Sequence, residues 1–244
     1  MWSDARALPI SDLVSFLGIG RAPEDSMMSS VPDRVFPTMA LGRFLDALKG
    51  REAVTLLDLG GAVGANVTFF CEQLGCKLFV EDLFADLDRL ATEAASGDGE
   101  RDPVQNVLAS RITQEADSVD GVLCWDTIEH LTAPAGRTLA ASLARVLRPG
   151  GVLLTSFGRE RCQATGHTKY EIIDRSQIRH RFQAGTSRRL RVLQSREVIQ
   201  MFSGLAVVDS FLLKTQTREM IFRKPASQAN QEREASCPDR SSLC

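Results

Sequence analysis

The chain has 244 residues, enough for one large domain with a real core. Hydrophobic residues make up 43% and charged residues 25%, and the formal net charge of −2 excludes a global field that would recruit nucleic acid or an anionic membrane. No apolar run approaches the roughly 20 residues that span a bilayer, and Met1 to Leu8 lacks the basic and apolar segments of a secretory signal. Six cysteines without a C-x-x-C pair argue against a metal such as zinc and for a reduced, cytoplasmic setting.

Residues 1–50 read as a helical cap region. Ser11-Asp12 caps a short helix through Leu17, 23–32 is a loop, and Phe36 to Leu48 carries apolar residues at helical spacing up to Gly50. From residue 51 short apolar strands alternate with helices. Val54 to Leu57, Leu78 to Val80, Val119 to Trp125 and Val152 to Phe157 are the strands. Val67 to Leu74, Leu83 to Ala95 and Ala135 to Leu147 are the helices, and Arg148 to Gly151 is a sharp turn. This order predicts an α/β fold with a doubly wound, mostly parallel sheet. Ser195 to Phe202 reads as a helix. Ala206 to Leu213 and Glu219 to Phe222 read as an antiparallel hairpin at the sheet edge, closing the domain at 224. The segment 158–196 reads as a long loop and substrate lid, and 225–244 as a disordered tail.

Chemistry concentrates where the first strand of this domain ends, in Asp58-Leu59-Gly60-Gly61-Ala62-Val63-Gly64. A strand delivers an acid, and a glycine turn then opens a helix. Glycine permits close approach of a ligand to the backbone, and a helix start offers unpaired N–H groups. An acid ahead of the turn suits a ligand with an amino group. One strand-helix unit later stands Glu81-Asp82, Asp82 lying 18 residues after Gly64, where an acid can accept both hydroxyls of a ribose. Two further elements follow, Trp125-Asp126-Thr127-Ile128-Glu129-His130-Leu131 and Leu147-Arg148-Pro149-Gly150-Gly151 ahead of a strand.

With these four elements in this order, the sequence resembles the class I S-adenosylmethionine-dependent methyltransferases, in the group of small-molecule enzymes with a Glu-His-Leu segment after the fourth strand. The resemblance covers roughly Val54 to Phe157 and implies a seven-stranded Rossmann-like methyltransferase fold. It implies S-adenosyl-L-methionine as cofactor, with its methionine part facing Asp58 and the turn of Gly60, Gly61 and Gly64. Asp82 would hold the ribose, and Trp125 and Asp126 would lie beside the cofactor and the substrate entrance. Three departures stand out. Ala62 replaces the family's middle glycine, Glu81 competes with Asp82 for the ribose, and only Ser110 is available where an acid often reaches the adenine.

Each residue also has a plainer reading. Asp82 suits a helix N-cap before Leu83. Glu129 and His130 read as a helix start rather than an acid–base pair. The cysteines suit core packing. Between Arg159 and Arg196 ten Lys and Arg residues face three acids, either as a solvated face or as a surface for a carboxylate- or phosphate-bearing acceptor. His167 and Tyr170 are the candidate substrate contacts there, His167 as base. The expected partner is a small-molecule substrate, without membrane or nucleic acid. The oligomeric state and the acceptor are not legible. The competing function is a non-catalytic module of the same fold acting as a binding or regulatory partner.

Overall fold

The structure, a computed structural model, describes residues 34–96, 107–108, 110–158, 165–186 and 190–226, excluding the side chains of 91–96. Strand β1 is Arg34–Pro37 and helix α1 is Ala40–Leu48. They are followed by β2 (Thr55–Asp58), α2 (Gly64–Leu74), β3 (Lys77–Val80), α3 (Leu83–Ser96), β4 (Val119–Trp125), a 3₁₀ turn Thr127–His130, α4 (Ala133–Val146) and β5 (Leu147–Phe157). After them come β6 (Gly166–Asp174), β7 (Gln177–Ala184), α5 (Ser195–Met201), β8 (Ala206–Leu212) and β9 (Arg218–Arg223).

Two sheets form, one of six strands in the order β3-β2-β4-β5-β9-β8 and one of three in the order β1-β7-β6. In the larger sheet β3, β2, β4 and β5 pair in parallel, and β9 and β8 add an antiparallel edge. The mixed α/β fold and its edge hairpin are as expected, with six strands rather than seven among the described residues. Side-chain alternation explains the two covered faces. Leu57, Val122, Cys124 and Leu153 pack with α3, α4 and α5 on one face. Leu56, Leu123, Leu154 and Trp125 pack with α1 and α2 on the other. Gly75 ends α2 at φ 57°, a left-handed position that glycine takes without steric cost.

Three local readings need correction. Helix α1 begins at Ala40, not Phe36, because Phe36 precedes Pro37 and a residue before proline is pushed to extended backbone. Phe36 pairs instead with Ile178 of β7. The turn read at Arg148 to Gly151 lies within β5, where the Gly150 N–H donates to the Lys224 carbonyl. The segment 158–196 is not one long loop, because it contains β6 and β7. Their two-residue turn is fixed by Asp174, whose carboxylate accepts the Ser176 N–H at 2.7 Å and hydroxyl at 2.8 Å. The cap region beyond the described residues, including the expected helix at 11–17, and the tail from 227 lie outside the description. No described helix is long and apolar enough to cross a membrane.

Candidate functional site

The carboxyl ends of β2, β3 and β4 converge on Asp58. Its side chain is 3% exposed, and Oδ1 accepts the Gly60 N–H at 2.9 Å and the Trp125 indole N–H at 2.6 Å. Burial pushes its carboxyl up to about 6, against the pull of those two bonds, and the charge of Asp82 adds to the rise. The glycines are needed here for close packing. A Cβ on Gly60 would come within 2.8 Å of the Trp125 ring, and one on Gly61 within 2.9 Å of Lys169 Cε. Trp125 takes this position at φ 45°, a conformation that costs a bulky residue on the order of 1–3 kcal/mol and concentrates at functional sites.

Glu81 and Asp82 separate cleanly. Glu81 directly follows β3, and its N–H continues the ladder by donating to the Asp58 carbonyl at 2.8 Å. Its carboxylate receives Gln114 Nε2 at 3.4 Å and lies 3.7 Å from Arg111. Asp82 Oδ1 accepts the Phe84 N–H at 3.2 Å at the start of α3, the plainer role foreseen for it. Ser110 is exposed and donates its hydroxyl to the Val107 carbonyl at 2.9 Å.

The small sheet closes over this end of the larger one. Asn66, in the first turn of α2, donates to the Tyr170 carbonyl at 2.7 Å and accepts the Ile172 N–H at 2.8 Å, so its amide serves the outer edge of β6 as another strand would. Tyr170 stacks on Trp125 with ring centroids 4.8 Å apart, and His180 meets Tyr170 edge-on at 4.9 Å. His167 lies apart from them. It stacks on Phe84 at 4.3 Å, both ring nitrogens are buried without a hydrogen-bond partner, and burial pushes its imidazole below the ordinary range against the raising influence of Asp82, Asp88 and Asp126.

A pocket open to solvent adjoins Trp125, with about 490 Å³ of free space when the adjoining solvent is counted. Phe36, Phe157, Tyr170 and His180 form aromatic walls, and Asp126, Glu129 and Glu219 bring carboxylates. Glu219 Oε2 accepts the N–H groups of Met39 and Ala40 at 2.8 and 2.9 Å, and Glu129 Oε1 accepts the Gly158 N–H at 2.9 Å. The hydroxyl of Thr217, 7% exposed overall, is buried and makes no hydrogen bond. His167 is not among the lining residues, and Tyr170 is.

Four of the arginines between Arg159 and Arg196 have local partners among the described residues. Arg175 pairs with Asp46 at 2.5 Å, Arg179 and Arg181 each pair with Glu171 at 2.7 Å, and Arg191 pairs with Glu197. Arg159, Arg161, Arg188 and Arg189 lie outside the described residues. Asn66, Lys169, His180, Thr217 and Glu219 were missed as site residues. The alternation Tyr170/Ile172 and the Asp174-x-Ser176 turn are the signals that would have shown the hairpin bringing Lys169 and His180 in. Glu219 gave no local signal, since its role depends on α1 from the far end of the chain.

These residues match the chemistry of the expected cofactor. An acid stands ready for an amino group at Asp58, a cation at Lys169 for a carboxylate, and an acid at Glu81 for a diol. The methyltransferase-domain family matches residues 3–208 of the chain. Similar solved structures include Burkholderia thailandensis 1,6-didemethyltoxoflavin-N1-methyltransferase, at 21% identity over 76% of this chain and 77% of that one, TM-score 0.45. They also include the PH0226 protein of Pyrococcus horikoshii OT3, at 15% identity over 76% and 89%, TM-score 0.45. A third is an S-adenosylmethionine-dependent methyltransferase of Clostridium acetobutylicum ATCC 824, at 10% identity over 75% and 92%, TM-score 0.46. No curated protein matches the chain.

Proposed function

The chain belongs to the methyltransferase-domain family; from that premise we propose that it is a class I enzyme that uses S-adenosylmethionine to methylate a small acceptor held in the cavity beside Trp125. When bound, the cofactor supplies an electrophilic methyl carbon on a sulfonium. Positioning falls to the protein's own side chains, and such alignment is worth several kcal/mol of barrier.

In this reading Asp58 ionises to hold the cofactor's amino group, while Lys169 reaches its carboxylate across Gly61. Glu81, whose N–H continues the β3 ladder onto the Asp58 carbonyl, takes the ribose hydroxyls, and Asp82 caps α3 through Oδ1. The Gly60 to Gly64 turn lets the backbone come close. Trp125 and Asp126 stand between this site and the cavity, and Tyr170 contacts the acceptor. His167 belongs to the cofactor side, given its stack on Phe84, so the role of acceptor base passes to cavity groups. Ser110 keeps no assigned role.

The observation that carries the proposal is the buried Asp58 carboxylate, bonded to Gly60 and Trp125 and paired with no cation among the described residues, directly beside an aromatic cavity. Calorimetric titration with S-adenosylmethionine and with S-adenosylhomocysteine tests it. Saturable binding of both is expected, and absence of binding of either at saturating concentrations would overturn it. Labelled cofactor incubated with a metabolite extract then identifies the acceptor.

A further inference from the structure

Resting on the methyl-transfer reading, we propose that the acceptor is an arylalkylamine that enters the cavity as its ammonium form, held by Glu219 and the aromatic walls. The cavity charge points that way. Asp126, Glu129 and Glu219 all line it, and no lysine or arginine is among its described lining residues. Filling such a space with a neutral or anionic ring strips water from carboxylates and gives nothing back. An ammonium offsets that cost and also gains from the aromatic side chains that line the pocket.

Two side chains have capacity for it. Both hydrogen bonds of Glu219 go to Oε2, which leaves Oε1 for a ligand. Thr217, on the link leading into β9, holds a buried hydroxyl with no partner. An N–H donor from the ligand answers both. The opposite reading, an anion drawn by arginines, has no support in this cavity, because Arg175, Arg179 and Arg181 are each paired with acids of their own neighbourhood.

The chemistry balances. The bound ammonium gives one proton to a cavity carboxylate or His180, and from there to solvent. The freed nitrogen lone pair forms the N–C bond to the methyl carbon as the C–S bond breaks. That bond's electron pair stays on sulfur, which leaves as a neutral thioether, and the product is an N-methylammonium.

Three probes share one ring and chain length and differ in charge: phenethylammonium, 2-phenylethanol and phenylacetate. Each is titrated calorimetrically into full-length protein, with and without saturating S-adenosylhomocysteine. Phenethylammonium is expected to bind about tenfold more tightly than phenylacetate, with 2-phenylethanol between them. Glu219→Gln keeps an oxygen for the Met39 and Ala40 N–H groups and removes the charge, so it should cancel most of that preference. Equal or tighter binding of phenylacetate, no binding of any probe, or an unchanged preference in a folded Glu219→Gln protein would overturn the proposal. Failure of the S-adenosylhomocysteine titration alone would sink the methyl-transfer reading and leave the probe series to stand by itself.

Discussion

At the amino end of β4, Asp120 is 2% exposed and surrounded by donors. Its oxygens accept the Thr55 N–H at 2.9 Å, Arg51 at 3.1 Å and Arg148 at 3.0 Å, while Arg51 also donates to the Gly150 carbonyl at 2.7 Å. At the carboxyl end of β2, Asp58 is buried as deeply, at 3% exposed, yet among the described residues it has two neutral donors and no cation. His167 and Thr217 nearby keep buried polar atoms without hydrogen bonds. One sheet therefore carries a satisfied ionic network at one end and uncompensated polarity at the other. A buried carboxylate is costly unless paired. The first end is built for stability, and the second has the polarity that the proposed cofactor site calls for.

The sharpest break of that comparison is Asp120→Ala. It strands two guanidinium groups and the Thr55 N–H, and removing one partner of a buried pair costs about 3–5 kcal/mol. Arg51 and Arg148 are partly exposed, with side-chain accessibilities of 27% and 42%, so the low end applies, about 3 kcal/mol. Urea denaturation should show this loss, while S-adenosylhomocysteine affinity of the folded protein stays the same. A loss below about 1 kcal/mol would mean that the network is decorative.

Asp58→Asn should act in the other direction. The folded pKa of Asp58, about 6, lies above its ordinary 3.8, so its favourable contribution is present below 3.8 and lost as pH rises through 6. The full difference corresponds to about 3 kcal/mol. Asparagine keeps an acceptor for Gly60 and Trp125 and cannot ionise, so the variant should be about 2 kcal/mol more stable than the parent at pH 8 and equal to it at pH 4. Affinity for S-adenosylhomocysteine should fall at least about tenfold at pH 8. In the parent protein that affinity should also decline as pH drops below 6, and the variant should lack the decline. Greater stability without a loss of affinity would remove Asp58 from the binding site.

The strands β2 to β5 and the acid-led turn were legible because they are local. A continuous apolar run, a turn and a helix start lie within about twenty residues of one another, and the alternation of Leu56 with Leu57 sets both faces. The small sheet was not legible. Strand β1 depends on a partner about 140 residues away in sequence, Phe36 meeting Ile178, and in β6 only Tyr170 and Ile172 alternate with charged residues, too short a run to stand out within a basic segment. The charge surplus there left a solvated face and an anion site both open, because pairing with Asp46 and Glu171 is a matter of folding. The choice between Glu81 and Asp82 was left open for a similar reason. Only the strand register, with the Glu81 N–H on the Asp58 carbonyl, shows which acid ends β3.

That register gives a pair of smaller tests at the carboxyl end. Glu81→Gln should weaken S-adenosylhomocysteine about tenfold, roughly 1.4 kcal/mol. Asp82→Asn should cost less than that, since asparagine caps a helix about as well as aspartate does. Calorimetry on both variants decides the matter. If Asp82→Asn is the more damaging change, the ribose belongs to Asp82 and the cap is incidental.

The smallest effect concerns how the hairpin joins the reactive end. Asn66 supplies both a donor to Tyr170 and an acceptor to Ile172, and nothing else among the described bonds ties the outer edge of β6 to α2. Asn66→Ala removes both bonds and leaves a backbone N–H and carbonyl to find water, a change on the order of 1 kcal/mol in local opening. Hydrogen exchange should therefore speed up about fivefold at the Ile172 amide, while amides of β4 and β5 keep their protection. Asn66→Asp separates the two bonds. It retains the acceptor for Ile172 and loses the donor to Tyr170, so Ile172 should stay protected while the fluorescence of Trp125, which stacks on Tyr170, shifts. Unchanged exchange at Ile172 in Asn66→Ala would show that packing of Tyr170, Ile172 and Ile178 alone holds the hairpin. The carboxyl end would then owe its shape to the same apolar burial as the rest of the core.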